Sequence, residues 1–299
     1  MVDTHGCVLA IINPTTGRVR LGVVVDELQR QASRHQLNLT IAYTAYAGHA
    51  VALARAGARA RETLIAVGGD GTVSDVVTGM IGCDCALGIV PVGSTNMIAK
   101  ELGIPRGLNA SIHVAMTSVQ RQRIDVARTG ATTILHIAGA GFDAAIMRDA
   151  NSSTKRRIGW LAYLPAAARH LHYPMFTLTL SVDDVTETVP ARTVLCAIGG
   201  AVINPRFRIG ENIDRMDGII DVCIYSPPNL PATLGCAWWI ARGTPGRSRW
   251  LRQVRGTSVR LDAPPGIPFE VDGDPFGELP AEISVLSERI EVIVPTSTA

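Results

Sequence analysis

Up to about Gln122, short apolar runs alternate with stretches whose apolar residues recur every three or four positions. The runs "CVLAIIN", "LNLTIAY", "TLIAV" and "ALGIVPV" predict buried strands. Helical spacing marks "GRVRLGVVVDELQRQASRH", "GHAVALARAGARARE", "TVSDVVTGMIG", "STNMIAKELGI" and "LNASIHVAMTS". Strand and helix in alternation predict a parallel sheet covered by helices. Each strand closes on glycine, proline or a polar cluster. Ligands of open α/β sheets bind beyond the carboxyl ends of the strands, so these ends are the places to search for chemistry.

Beyond Gln122 the pattern changes. "RIDVARTG", "TTILHIAGAG", "MFTLTLSVD", "RTVLCAIGGA", "IIDVCIYS", "TSVRLDA" and "PFEVDGD" read as strands separated by turn residues, and only "RRIGWLAYLPAAARHL" and "NLPATLGCAWWIARG" look helical. The division is an α/β domain over 1–122 and a β-rich domain over 123–285. The tail "ERIEVIVP" is a further strand that pattern alone assigns to no sheet; a return of about 286–299 to the first domain is one option.

Composition narrows the class. Of 299 residues, 47% are hydrophobic and 18% charged, which excludes a disordered chain. A net charge of +2 gives no reason to expect a nucleic-acid partner. The start "MVDTHGCVLAIINP" lacks a basic leader and no apolar run reaches membrane-spanning length, so the expectation is a cytoplasmic protein. The six cysteines lie mostly in apolar runs and read as reduced core thiols. His49 reads as a surface residue at a helix start.

Three loops then stand out: "NPTTGR" after the first strand, "GGDGT" after the third and "PVGSTN" after the fourth. Each follows a strand and precedes a helix, an arrangement that aims backbone N–H groups and the positive end of a helix dipole at a ligand. Glycine permits close backbone approach, and the hydroxyls of Thr16, Thr72, Ser94 and Thr95 add donors without bulk. One such loop is common; three at successive strand ends predict a nucleotide site. The loops form neither a Walker A motif nor a G-x-G-x-x-G fingerprint. A carboxylate amid phosphate-binding glycines needs a cation, so Asp70 reads as an organiser of Mg²⁺ and phosphate; helix capping is the plainer alternative.

Together "IINPTTGR", "AVGGDGTVSDVVTGM" and "LGIVPVGSTNMIAKELGIP" resemble the diacylglycerol kinase catalytic domain family, which includes bacterial soluble diacylglycerol kinases, YegS-like lipid kinases and sphingosine kinases. "RIDVARTGATTILHIAGAGFDA", "RRIGWLAYL", "NIDRMDGIIDVCIYS" and "FEVDGDPFG" continue it in order, so it covers essentially the whole chain. The resemblance implies an N-terminal α/β nucleotide-binding domain and a C-terminal β-sandwich domain. It also implies transfer of the γ-phosphoryl group of ATP to a lipid hydroxyl with Mg²⁺. The ATP-binding positions it implies are Asn13, Pro14, Thr15, Thr16, Gly17, Thr44, Val67, Gly68, Gly69, Asp70, Gly71, Thr72, Val73, Ser94, Thr95 and Asn96. "VDGD" matches the motif of the catalytic base, with Asp272 and Asp274 at the two positions. In "RMDGI" the implied metal ligands are the Asp217 side chain and the carbonyls of Asp214 and Ile219, and Asp125 links metal to active site through water. Asp274 stands where the family usually has glutamate, which shortens its reach by one methylene. Met97 follows Asn96 where many members have aspartate, and Thr16 replaces the usual serine.

The implied partners are a lipid substrate with a free hydroxyl and a membrane surface touched peripherally at its inner face. A homodimer is compatible with the sequence. In "WWIARGTPGRSRWLRQVRG", Trp238, Trp239 and Trp250 interleave with Arg242, Arg247, Arg249, Arg252 and Arg255, as an anionic interface would require. "STKRRIGWLAYL", with Lys155, Arg156, Arg157 and Trp160, is a second such stretch. Core tryptophans beside a solvated basic face are the alternative for both. An NAD kinase-like enzyme and a non-catalytic nucleotide- or lipid-binding regulator are the competing functional readings.

Overall fold

The computed structural model describes residues 6–15, 19–59, 63–149, 163–202 and 204–296. The chain divides into two units, Met1–Ile124 with Glu288–Ala299, and Asp125–Ser287.

In the first unit the elements run β1 (Cys7–Ile12), α1 (Leu21–Arg34), β2 (Asn38–Tyr43), α2 (His49–Ala58), β3 (Thr63–Gly68), α3 (Asp70–Met80), β4 (Ala86–Pro91), α4 (Met97–Glu101), α5 (Leu108–Thr117) and β5 (Arg121–Ile124). The second unit contributes β6 (Ala127–Thr129), β7 (Thr132–Ile134), β8 (Ile137–Gly141), α6 (Phe142–Asp149), α7 (Tyr163–Arg169), β9 (Phe176–Val182), β10 (Val185–Ala191), β11 (Thr193–Ala197), β12 (Ala201–Val202) and β13 (Asn204–Arg208). It continues with β14 (Ile220–Tyr225), α8 (Leu230–Ala241), β15 (Leu251–Gly256), β16 (Ser258–Asp262), β17 (Pro268–Val271), β18 (Asp274–Glu278) and β19 (Ala281–Val285). The last strand, β20 (Ile290–Ile293), returns to the first unit.

The first unit is a six-stranded sheet in the order β2-β1-β3-β4-β20-β5. All its pairs are parallel except β20 with β5. β3 and β4 are buried almost throughout, which is why they read as unbroken apolar runs. On one face Val24 and Leu28 of α1 and Ile112 and Ala115 of α5 pack on Val8, Ala10, Ile65, Val67 and Val90. α1 buries Val24, Glu27, Leu28 and Ala32, a single stripe at helical spacing. Helices α2 and α3 meet closely where Gly79 lies against the backbone of Val51. The tail strand that pattern left unassigned lies between β4 and β5.

The second unit is a β-sandwich. One six-stranded sheet has the order β10-β9-β16-β19-β6-β7 and the other β15-β14-β11-β8-β17-β18, with every pairing antiparallel. Leu178, Leu180, Leu261 and Ile283 from the first share one apolar core with Ala140, Val194, Val222 and Phe269 from the second.

Several stretches differ from the sequence reading. "VTETVPA" is the edge strand β10, and the "LRQVRG" end of the arginine-rich stretch is β15, paired with β14. β10 exposes Thr186, Thr188 and Pro190, and β15 exposes Arg252 and Arg255, which hides the strand signal. "GFDA" opens the unforeseen helix α6. Of the second basic stretch, Lys155, Arg156, Arg157 and Trp160 lie outside the described residues. The cysteines are free, and no helix among the described residues is long and apolar enough to cross a membrane.

Candidate active site

The ends of β1, β3 and β4 meet at one rim of the first sheet, because these strands are parallel and adjacent through β3. Their loops are tied by side chain and backbone. The Asn13 amide donates to the Thr72 hydroxyl (3.3 Å) and accepts from the Thr15 N–H (3.0 Å) and hydroxyl (2.8 Å). The carbonyl of Gly68 accepts from the N–H groups of Val92 (3.0 Å) and Gly93 (3.3 Å). The Asn96 amide donates to the Gly93 carbonyl at 2.7 Å, from a residue in the left-handed region (φ 50°). Such backbone suits asparagine better than most side chains. Gly93 lies against Gly69: a Cβ on Gly93 would stand 2.5 Å from the Gly69 Cα. This bare backbone is what the two glycine-rich loops share.

Asp70 is the first residue of α3. Its Oδ1 accepts the Ile98 N–H at 3.1 Å. The carboxylate therefore caps the helix of the neighbouring loop, α4, whose N-cap residue Asn96 makes no side-chain cap of its own. The N-terminus of α3 has no side-chain cap either, so its first N–H groups point outward as donors for an anion. Lys100 of α4 is an addition that the loops did not signal. Burial, and then Arg106, hold its ammonium below the ordinary lysine range, with the Asp70 charge opposing them.

The remaining predicted nucleotide positions fall as follows. The N–H of Thr44, just past β2, donates to the Ile12 carbonyl at 2.9 Å. Next to it Tyr46, 67% exposed, stacks on His49 with ring centroids 4.6 Å apart. Val67 and Val73 are buried, Thr72 is 5% exposed, and Pro14, Thr15, Gly71 and Ser94 are exposed, with Thr95 half-buried. Thr16 and Gly17 lie outside the described residues.

In the second unit "VDGD" is the hairpin turn between β17 and β18. Asp272 takes φ 50° and Gly273 φ 90°, so the turn needs two left-handed residues. The Asp272 carboxylate accepts three backbone N–H groups, from Leu135 (3.0 Å), His136 (2.9 Å) and Ile137 (3.1 Å). It is thus bound into β8 and its approach. Arg215, which burial holds down at about 10, gains charge stabilisation from Asp272. Asp274 is exposed at the head of β18, and among the described residues its carboxylate forms no hydrogen bond or ion pair. The structure therefore separates the two motif acids into one anchored to backbone and one open to solvent.

Behind the turn is a pair that sequence reasoning missed. Glu270, 2% exposed, hydrogen-bonds Asp143 and accepts the Gly273 N–H through Oε2 at 2.6 Å. Gly139 makes room for both: a Cβ there would stand 2.7 Å from an oxygen of each. Two carboxyl groups in hydrogen-bond contact must hold a proton between them. Burial, and then the Asp143 charge, push Glu270 well above the ordinary glutamate range, and burial pushes Asp143 up to about 6. No local pattern in the sequence signals it, since Asp143 and Glu270 stand far apart in the chain.

The implied metal residues form a tight loop. Asp125, 1% exposed, accepts the Gly218 N–H at 2.6 Å, and its own N–H donates to the Arg215 carbonyl at 2.8 Å. Asp214 accepts the Met216 N–H (3.0 Å), and Asp217 accepts the Ile219 N–H (3.1 Å). The other Asp217 oxygen pairs with Arg255, which also holds Asp221 at 3.0 Å. Among the described residues no three acidic, histidine or cysteine side chains converge on one point. One carboxylate with neighbouring carbonyls is still a hard-oxygen donor set of the type Mg²⁺ accepts.

The profile of the diacylglycerol kinase catalytic domain matches residues 7–129. That of the YegS C-terminal NAD kinase beta sandwich-like domain matches residues 136–294, more than half of the chain. The chain belongs to the diacylglycerol kinase family. This family membership makes it a phosphotransferase with an alcohol group as acceptor. The diacylglycerol kinase of Bacillus subtilis is 26% identical over 294 residues, 97% of this chain and 96% of that protein. An uncharacterized protein of Synechocystis is 25% identical over 244 residues, 79% of this chain; the match spans 55% of that longer protein. A diacylglycerol kinase structure from Bacillus anthracis shares the fold at a TM-score of 0.74 and 17% identity, covering 97% of each chain.

Two outcomes test this kinase's geometry. Gly93→Ala drives a Cβ into the Gly69 backbone and should cost about 1–3 kcal/mol by urea denaturation, whereas Gly71→Ala, with nothing within 4 Å of its Cβ, should stay within about 0.5 kcal/mol of wild type. The Asp143–Glu270 pair binds its proton more tightly folded than unfolded. From the ordinary carboxylate range near pH ~4 upward through about 6, where Asp143 titrates, its contribution to stability therefore falls as pH rises. Melting temperature followed across that window should decline less steeply for Glu270→Gln than for wild type. An unchanged slope would exclude the shared proton.

Proposed function

We propose that this kinase transfers the γ-phosphoryl group of ATP to the hydroxyl of a lipid such as diacylglycerol, in the presence of Mg²⁺. The observation that carries this reading is the joining of three strand-end loops at one sheet rim, through Asn13, Gly68 and Gly93, around the uncapped N-terminus of α3. Phosphoryl transfer asks mainly that phosphates be held and an acceptor oxygen be aligned. The α3 N–H groups and the hydroxyls of Thr15, Thr72, Ser94 and Thr95 are suited to hold phosphates, and Gly71, with open space at its Cβ position, lets a phosphate reach the backbone. Asn13, Asn96 and Asp70 act on the loops themselves, since each bonds one loop to another or closes its turn.

In the second unit Asp274 takes the role of base, receiving the proton of the acceptor hydroxyl, because its carboxylate is open. Asp272 has a positioning role, because its carboxylate is spent on three N–H groups. Mg²⁺ would be held by Asp217 with the carbonyls of Asp214 and Ile219, and Asp125 fixes that loop through Gly218. When bound, the ion supplies charge neutralisation near the transferred group.

Incubation with γ-labelled ATP, Mg²⁺ and a mixed lipid extract should place label in an organic-soluble product. Label in NADP instead would favour an NAD kinase-like activity and refute the lipid reading. Asp274→Asn should lower kcat on the order of 10²-fold or more with the melting temperature intact, while Asp272→Asn should lower both. Gly71→Ala should raise the KM for ATP about tenfold or more while folding normally, because its methyl group would occupy the anion's place.

A further inference from the structure

We infer that the exposed face of α8 and the three arginines after it form a docking surface for a bilayer with anionic headgroups. This rests on the lipid-kinase reading, since it names where that enzyme meets its substrate's membrane.

Helix α8 (LPATLGCAWWIA) contains no charged residue. Only Cys236 of it is buried. Leu234 is 56% and Trp238 58% exposed, and Pro231, Ala237 and Ala241 are exposed with them. Positions 231, 234, 238 and 241 follow helical spacing, so they form one continuous apolar face turned to solvent. The opposite face is anchored: the Thr233 hydroxyl accepts from Arg192 at 3.1 Å, Cys236 lies 3.3 Å from the Ser248 hydroxyl, and Ile240 packs in the core with Trp250. The helix is thus held rigidly with its apolar side outward. A water-exposed stripe of this kind marks an interaction surface rather than a scattered apolar residue.

Charge complementarity selects the occupant. Arg242 lies over Trp238 at 5.4 Å, Arg247 over Trp239 at 5.8 Å and Arg249 over Trp250 at 4.5 Å. Among the described residues none of these three arginines is ion-paired with a carboxylate; Glu211, which lies against Gly246, pairs with none of them. By contrast Arg252 pairs with Glu187 and Arg255 with Asp217 and Asp221, so the far arginines of the same stretch are neutralised within the fold. Three exposed, unneutralised guanidinium groups, each backed by an indole, thus follow the apolar helix, and Arg242 lies directly over its exposed Trp238. Such a helix settles into the headgroup boundary, with tryptophan at the interface and arginine on anionic phosphates. A second copy of the chain is a poorer occupant, because a two-fold contact would set this basic rim against itself.

The test is co-sedimentation of the full chain with phosphatidylcholine vesicles, with and without phosphatidylglycerol, in the absence of ATP. Wild type should bind the anionic vesicles on the order of tenfold more tightly, and more weakly at high salt. Leu234→Glu with Trp238→Glu should abolish binding to both vesicles, and Arg242→Gln, Arg247→Gln and Arg249→Gln together should reduce binding to the level of the neutral ones, all with wild-type melting temperatures. Transfer to a monodisperse short-chain diacylglycerol should be unchanged in these variants. Equal vesicle binding by wild type and variants would overturn the proposal. So would a shift from dimer to monomer on substituting Leu234 and Trp238. Vesicle binding that follows the variants without transfer to any lipid would uphold the surface and sink the lipid-kinase reading separately.

Discussion

The first unit depends on a contact between two backbones. Gly69 and Gly93 come so close that a side chain on Gly93 would run into the Gly69 backbone, and the Gly68 carbonyl collects two N–H groups from across the gap. Hydrogen bonds of about 1 kcal/mol each would not hold two free loops together. They succeed because β3 and β4 already fix the loop origins one strand apart. Order at the rim is inherited from the sheet, and the glycines preserve it by leaving nothing in the way.

The same economy appears in the acids. Asp70 caps a helix it does not belong to, and Asp272 gathers three N–H groups from a segment about 135 residues earlier in sequence. Glu270 and Asp143 form a buried pair whose proton is part of its structure. In each case the carboxylate joins pieces of chain that local sequence would leave independent. Buried polar groups carry a large penalty if unsatisfied, and here satisfaction doubles as orientation. Asp274, without such ties, is the acid left to meet a solute.

How far the sequence could be read follows from this. The parallel strands were visible because they are buried on both faces and apolar along their length. The glycine loops were visible because three of them recur at strand ends. β10 and β15 were not, since the exposed positions of β10 carry threonine and proline and those of β15 arginine, which mimics a surface loop. The Asp143–Glu270 pair was invisible because its partners come from elements far apart in the chain, and no local pattern marks a contact made by folding. Arg252 and Arg255 resembled their neighbours in the basic stretch, yet strand pairing turns them onto acids. The resemblance assigned "VDGD" to the base motif, and the structure makes the same residues a hairpin turn; the hairpin leaves room for both.

The return of β20 has a consequence for how the chain is made. It is inserted between β4 and β5, so the sheet of the first unit lacks an interior strand until the residues of the second have been synthesised. A nascent chain emerging from the ribosome can close the sandwich of β6 to β19 while β4 still awaits its neighbour. The glycine rim depends on β3 and β4, which are early, but its sheet is sealed late, by a strand about 200 residues downstream of β4. A truncation that spares every loop residue would thus still strip the rim of its lateral support.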